Sequence, residues 1–479
     1  MAQQLCRLWR AGDADAGAGI AELEPSALDW YPLGQQLALH TRHFASAFLH
    51  EASCSLLLGT EVTAITQTAE GWRVDYRPCA SGRKPKEAQV SEGANAPFDV
   101  IIVACGMFSR PRVPFPDEGS SGRRWPLSIH SLHLVDMEVL RGLRVVVVGM
   151  GKSACDITMA AAHVAKSIDA VARDPTWMLP RHIVGLPLRF LASTRWFATM
   201  ALTPWRATMA QALQWFLWAW ILEPLVRWHF GRVPAAWRPA DGALRAQLSH
   251  GRSLAIVDAP ALQDVLTQPH VRCLRAQPLR VTAAGLVVRP WAGDAPAVEE
   301  LLVEADAIVW ATGYESDAML SLFDRQTVAK LRGHDGSWLA LYRRILPLSE
   351  DLRGLAFIGR VLTTSDVAVS FVQAEWLAAV WCGAVQLPTM TEQAAEVEAI
   401  QRESRRFSSR SSGHADVAIP SIHSYLDELV AEVVAARRRG EEREEGRWRG
   451  LSRRASGLVR WLSMYVRPLR AADYAELLL

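Results

Sequence analysis

Between residues 144 and 157 the chain reads RVVVVGMGKSACDI. Four valines run into Gly149, Gly151 and Ala154, spaced G-x-G-x-x-A, and then into the helix-compatible Ile157-Thr-Met-Ala-Ala-Ala. Strand, tight turn and helix in that order aim helix N-terminal amides at a pyrophosphate, and Ala serves third because helix-strand packing there needs only a small residue. A glycine-rich turn in an ordinary α/β domain is the bland alternative. A second apolar run, Ser167 to Ala172, ends in Arg173, 24 residues after Gly149. An acid at that strand end would hold the ribose hydroxyls of NAD, whereas a guanidinium suits a 2′-phosphate. The pattern therefore favours NADP over NAD, with the adjacent Asp174 pulling the other way.

Other chemistry is sparse. His130 and His182 are isolated, and no Ser-His-Asp set, carboxylate pair or metal spacing stands out, so the sequence names no catalytic residue. Cys105 and Cys155 sit at glycine turns, where a helix N-terminus could lower a thiol pKa. Neither has a resolving partner nearby in sequence, and the bland reading is a small packed residue.

These groups need strands to hold them. FDVIIVACG, Phe98 to Gly106, is echoed by ADAIVWATG, Ala305 to Gly313: an Asp opens each apolar run and a Gly ends it seven residues later. Runs of this kind predict parallel strands buried on both faces. Gln36 to Phe48 has helical spacing, while Leu56 to Ile65, Gly71 to Tyr76 and Gly354 to Gly359 read as short strands. Ser370 to Val385 is an apolar helix. Cys79 to Pro97 and Arg402 to His414 read as polar loops, and Arg437 to Arg454 as a solvated charge run.

The chain has 479 residues, half of them hydrophobic, enough for one large core or two ordinary ones. Its 52 basic and 50 acidic residues leave +2, no electrostatic reason for nucleic-acid binding. Seven scattered cysteines imply a reduced compartment and no structural metal. The first residues lack the apolar core of a secretory signal. Of 19 Trp, seven lie between Trp196 and Trp237. The apolar run Trp215 to Leu222 stops at Glu223, short of the ~18 residues of a spanning helix. Trp with Arg227, His229 and Arg232 nearby fits peripheral contact with an intracellular membrane through residues 205–232, or else a lid over a cleft or a partner surface.

Taken together, these pieces resemble the flavin-containing monooxygenases, from about Leu37 to about Val433. VVVVGMGKSACDI looks like that family's NADPH-binding motif, Ser153 included, with Arg173 placed for the 2′-phosphate. Ala311-Thr312-Gly313-Tyr314 matches its strand-end ATGY, and Ala104-Cys105-Gly106 the earlier counterpart. GTEVTAI resembles the strand whose backbone, here Val62, borders the FAD adenine. SFVQAEWLAAVWCGAVQLP resembles the late helix whose glutamine, here Gln373, sits near the flavin. The resemblance implies an α/β fold of two dinucleotide-binding, Rossmann-like domains, the NADP domain inserted into an FAD domain. The corresponding limits are 1–140 for the first FAD part, 141–315 for the NADP domain with a Trp-rich insertion at about 189–250, 316–435 for the second FAD part and 436–479 for a charged tail.

Two departures stand out. The family's Phe-x-Gly-x-x-x-His keeps His130 and the following Ser131, but neither the Phe nor the Gly, with Trp125 as the nearest aromatic. The family's opening strand with its own GxGxxG for FAD has no counterpart, since Gly17-Ala-Gly19 follows ADADA and precedes Glu22. A βαβ unit upstream of Met1 is therefore expected. The implied chemistry uses FAD, NADPH and dioxygen: a C4a-hydroperoxyflavin passes oxygen to a soft nitrogen or sulfur nucleophile of a small-molecule substrate, in the cytoplasm or on the cytoplasmic face of the endoplasmic reticulum. A family member that binds NADP(H) without FAD or catalysis is one alternative. A flavoprotein reductase is the other, although it would want a CxxC or CxxxxC pair.

Overall fold

The computed structural model describes residues 41, 56–79, 97–115, 126–183, 185–188, 216, 220–221, 223–239, 256–292, 295–296, 299–315, 317–333, 336, 338–361, 366–407 and 422–444. In chain order its main strands are β1 (Thr60–Thr68), β2 (Gly71–Pro78), β3 (Ile101–Val103), β4 (Leu127–His130), β5 (Arg144–Val148), β6 (Ser167–Ala172), β7 (Val271–Thr282), β8 (Gly285–Ala292), β9 (Leu301–Glu304), β10 (Ala307–Trp310) and β11 (Leu355–Phe357). Its helices are α1 (Lys152–Ala161), α2 (Glu223–His229), α3 (Ala259–Leu266), α4 (Arg325–Leu331), α5 (Asp366–Trp381), α6 (Met390–Phe407) and α7 (Ile422–Glu444).

One sheet dominates. It runs β8-β7-β6-β5-β10-β4, parallel from β7 to β4, with β9 and the short strand Ala295–Pro296 antiparallel on β8. The valines of β5 are at most 4% exposed, because the sheet is covered on both faces. Leu140, Val145, Val147, Ile157, Ile168 and Leu262 pack on one side, and Val146, Val148, Val171, Leu286, Ile308 and Trp310 on the other. Asp306, which opens the second repeat, takes the Arg144 amide at 2.9 Å and its guanidinium at 3.0 and 3.1 Å, pinning the adjoining ends of β5 and β10. The sheet draws its edge strand β4 from upstream of residue 141, the expected start of this unit.

A smaller unit holds β3 parallel to β11 and the hairpin β1-β2. Ile65, Trp72, Val103, Phe323, Leu355 and Phe357 form one core there, and Tyr342, Trp376, Leu426 and Val430 another beneath α5 and α7. In one respect β3 differs from expectation. Ile102 is 47% exposed, so one face of β3 is open among the described residues, where β3 also pairs on one edge only.

One further expectation changes. The loop proposed for Arg402 to His414 begins as helix, since α6 runs through Phe407, and residues 408–414 lie outside the described residues. Within the segment assigned to a Trp-rich insertion, Trp237 is fully buried, its indole nitrogen donating to the Ala170 carbonyl at 3.2 Å, and Val226, Phe230 and Val233 join the same core. Residues 223–239 are thus built into the large unit. Phe216, Trp220, Ile221 and Trp228 stay exposed, and no helix among the described residues is long and apolar enough to cross a membrane. Apart from Thr41, which is helical, the helix proposed for Gln36 to Phe48 lies outside the described residues, as do Gly17, Gly19 and the loop from 80 to 96.

Candidate functional site

The strand, turn and helix of the first motif meet at Gly149, whose φ is +132°. A Cβ there would stand 2.3 Å from the Ala311 carbonyl oxygen, so only glycine lets the turn off β5 pass beside the end of β10. Gly151 is different: its backbone is ordinary at φ −78°, and no described atom lies within 4 Å of its Cβ position. It caps α1 with no side-chain hydrogen bond, leaving the first-turn amides directed at whatever occupies that space. Ser153 is half-buried in this first turn, and Ala154 is fully buried behind it. Arg173 leaves the same end of the sheet from β6, its side chain 52% exposed and its Nε on Asp174 at 3.1 Å.

The Ala311–Tyr314 segment continues β10 and is laced to the exit from β3. Gly313, at φ +81°, accepts from the Arg112 amide and from His130 Nε2, both at 3.0 Å. Thr312 Oγ1 donates to the Arg112 carbonyl, and Arg112 Nη2 donates to the Tyr314 carbonyl at 3.3 Å. The Tyr314 ring meets Phe108 and His130 edge-on, at 5.4 and 5.2 Å between centroids. Because His130 Nδ1 accepts from the Leu132 amide at 3.1 Å, the proton sits on Nε2 and points at Gly313. Burial holds this imidazole below its ordinary pKa. His130, 3% exposed, is therefore a fixed strut at the end of β10.

Gly106 and Gly359 follow β3 and β11 with φ of +72° and +77°, so two left-handed turns stand side by side at the carboxyl ends of a parallel pair. Ligands of α/β sheets gather at such ends. Gln373 is fully buried behind the second turn: its Oε1 accepts from the Gly359 amide at 2.8 Å, and its Nε2 donates to the Tyr425 hydroxyl at 2.7 Å. Val62 lies 38% exposed on the β1-β2 hairpin, which shares no sheet with the other candidates. The structure thus brings Gly149, Gly151, Ser153, Ala154, Arg173, Ala311, Thr312, Gly313 and Tyr314 to one sheet end and Gly106 and Gln373 to another, with Val62 apart. Sequence reasoning missed Arg112 and Tyr425, whose partners are remote in the chain.

A thiol role for Cys155 is excluded. Burial pushes the thiol up to about 12, and its Sγ lies 3.2 Å from Met178 Sδ, so it is a packing residue. Cys105 is exposed, and partial burial of its sulfur raises its pKa where reactivity would need it lowered. Among the described residues no group of three or more His, Cys, Asp or Glu could hold a metal.

The chain is similar to known proteins. The chain is 23% identical over 318 residues to N-oxide-forming dimethylaniline monooxygenase 4 of Rattus norvegicus, covering 64% of this chain and 49% of that one. With flavin-containing monooxygenase 2 of Homo sapiens it shares 23% over 343 residues, 71% of this chain and 58% of the relative. The chain spans about half the length of the curated relatives it matches. Among solved structures, OTEMO in complex with FAD and NADP superposes with a TM-score of 0.54 at 15% identity, covering 86% of this chain and 85% of that one. S-allyl-L-cysteine S-oxygenase from Allium sativum gives 0.50 at 16% identity, covering 85% and 68%. These likenesses establish the flavin-monooxygenase fold. The family model for flavin-binding monooxygenase-like proteins matches residues 85–220 and 295–438, more than half of the sequence, and the chain belongs to that family.

Proposed function

We propose that this chain is a flavin-dependent, NADPH-dependent monooxygenase that oxygenates soft nitrogen or sulfur nucleophiles of small molecules, with dioxygen as co-substrate. The observation that carries the reading is the pair of sheet ends just described: two parallel sheets in one chain, each closing in paired left-handed glycine turns, Gly149 with Gly313 and Gly106 with Gly359.

The residues at the first end fit NADP(H). Gly151 leaves room for a phosphate against its backbone, the α1 amides supply donors with a favourable dipole, and the Arg173 guanidinium suits a 2′-phosphate. The residues at the second end fit the isoalloxazine part of FAD. Gly106 admits close approach, and Gln373 sets the Gly359 turn from behind. A strand-glycine-helix unit for the FAD pyrophosphate is not among the described residues. When bound, FAD supplies acceptance of hydride from NADPH and activation of dioxygen. The chain's contribution is placement: the Arg112 amide ties the two linkers by donating to the Gly313 carbonyl, and His130 Nε2 braces that same carbonyl.

The exposed Phe216, Trp220, Ile221 and Trp228 support peripheral membrane contact within residues 205–232, with Phe216 and Trp220 stacked at 6.4 Å. Co-sedimentation with vesicles, weakened by a Trp220→Ser/Trp228→Ser double variant, tests that part. The activity itself is tested by NADPH-dependent oxygen uptake with a tertiary amine or thioether in the presence of FAD. Stoichiometric oxygenated product supports the reading, whereas NADPH binding with no flavin retained and no turnover sinks it.

A further inference from the structure

Behind the Gly359 turn runs a chain of hydrogen bonds with a single allowed polarity. At one end is the Arg343 carbonyl, which can only accept; at the other is the Gly359 amide, which can only donate. The Tyr425 hydroxyl donates to the Arg343 carbonyl at 2.7 Å, so its lone pair faces the Gln373 Nε2 group at 2.7 Å. That in turn leaves Gln373 Oε1 for the Gly359 amide at 2.8 Å. A flipped Gln373 would set two donors against each other at Gly359 and two acceptors at Tyr425. The hydroxyl and the Gly359 amide therefore together fix which way the Gln373 side chain faces. Burial raises the Tyr425 phenol well above its ordinary value, so the proton that sets this polarity stays on.

The far end is held under strain. Arg343 and Arg344 adopt φ of +52° and +59°, where side-chain-bearing residues are uncommon, and such conformations persist only when their surroundings over-determine them. Here the Arg343 guanidinium pairs with Glu396 at 3.0 Å, Glu432 at 2.7 Å and Glu428, and Trp376 Nε1 ties Glu432 further at 2.6 Å. Helices α6 and α7 thus aim the Arg343 carbonyl at Tyr425. On the near side, Arg360 follows Gly359 and pairs with Asp317 at 2.8 Å, three residues after Tyr314.

We propose that Tyr425 is a positioning residue for the flavin site: through Gln373 it holds the Gly359–Arg360 turn in the shape that the cofactor meets. This rests on the reading that flavin binds at the carboxyl ends of β3 and β11.

The test compares the wild-type chain with Tyr425→Phe, which keeps the ring and removes the hydroxyl. FAD and NADPH binding are measured by equilibrium titration, together with the visible spectrum of bound flavin. The expected result is FAD binding weakened about tenfold or more, from the two buried polar groups left unpaired, with a shifted flavin spectrum and NADPH affinity within about twofold of wild type. Unchanged FAD affinity and spectrum in Tyr425→Phe, with wild type binding FAD, overturns the positioning role and leaves the flavin reading standing. A wild-type chain that binds no FAD overturns both. If Tyr425→Phe does not fold, hydrogen exchange of the wild-type Gly359 amide decides: protection comparable with β11 supports the relay, and exchange at the rate of an open loop refutes it.

Discussion

Gly149 and Gly151 look equivalent in a glycine motif, yet the geometry gives them different work. In Gly149→Ala the new methyl carbon would lie 2.3 Å from the Ala311 oxygen, and the obstacle is backbone that cannot swing aside. Holding alanine at φ +132° costs of order 1–3 kcal/mol. Crowding against the carbonyl adds roughly 1–3 kcal/mol. A loss of about 2–6 kcal/mol is a large part of ordinary domain stability and corresponds to a melting midpoint lower by roughly 5–20 °C. Gly151→Ala meets open space at an ordinary φ, so its stability cost is under about 1 kcal/mol, the loss of a helix-cap preference. Its methyl would instead enter the space proposed for a phosphate, and NADPH affinity is expected to fall about tenfold, about 1.4 kcal/mol. Calorimetry and NADPH titration of the two variants separate the roles. A Gly151→Ala variant that melts as low as Gly149→Ala, or that binds NADPH as wild type does, would refute this division of roles.

Arg173→Ala is expected to weaken NADPH binding by about 10- to 100-fold while leaving NADH unchanged, and an equal loss for both would remove Arg173 from the 2′-phosphate. Burial keeps His130 below its ordinary 6.5, so between the two values the unfolded chain binds more protons and stability rises with pH. Stability should therefore fall as pH drops below about 6.5, and His130→Asn should flatten that slope in pH-dependent denaturant melts; identical slopes would contradict the strut. With Cys155 and Cys273 both pushed up to about 12 by burial, iodoacetamide at pH 8 should label Cys105 in the native chain and spare these two until denaturant is added. Peptide mass spectrometry showing native labelling of Cys155 would refute its packing.

What the sequence disclosed was local. The run from Arg144 to Ala172 carries strand, turn, helix and strand within one stretch, and each is set by neighbours in the chain: continuous valines, a glycine forced by the next strand, then helix formers. Both halves of the repeat, at Asp99 and Asp306, became parallel strands ended by positive-φ glycines. Long-range pairing stayed hidden. Nothing in Leu-Ser-Ile-His says that β4 will lie along β10, and the bond from Arg112 to Gly313 joins residues some 200 positions apart. Trp237 shares its composition signal with exposed Trp220 and Trp228, yet its partner is the Ala170 carbonyl of β6. Gln373 could be singled out from sequence, but the group that orients it, Tyr425, sits on another helix with no motif around it.

Anaerobic reduction tests most directly the proposal that one chain carries both a nicotinamide site and a flavin site. The purified chain is incubated with FAD, desalted and titrated with NADPH under argon while the visible flavin band is recorded. The expected result is about one flavin retained per chain and stoichiometric bleaching by NADPH, with NADH far less effective. A desalted chain that is colourless, or one that holds flavin which NADPH does not bleach, would contradict it.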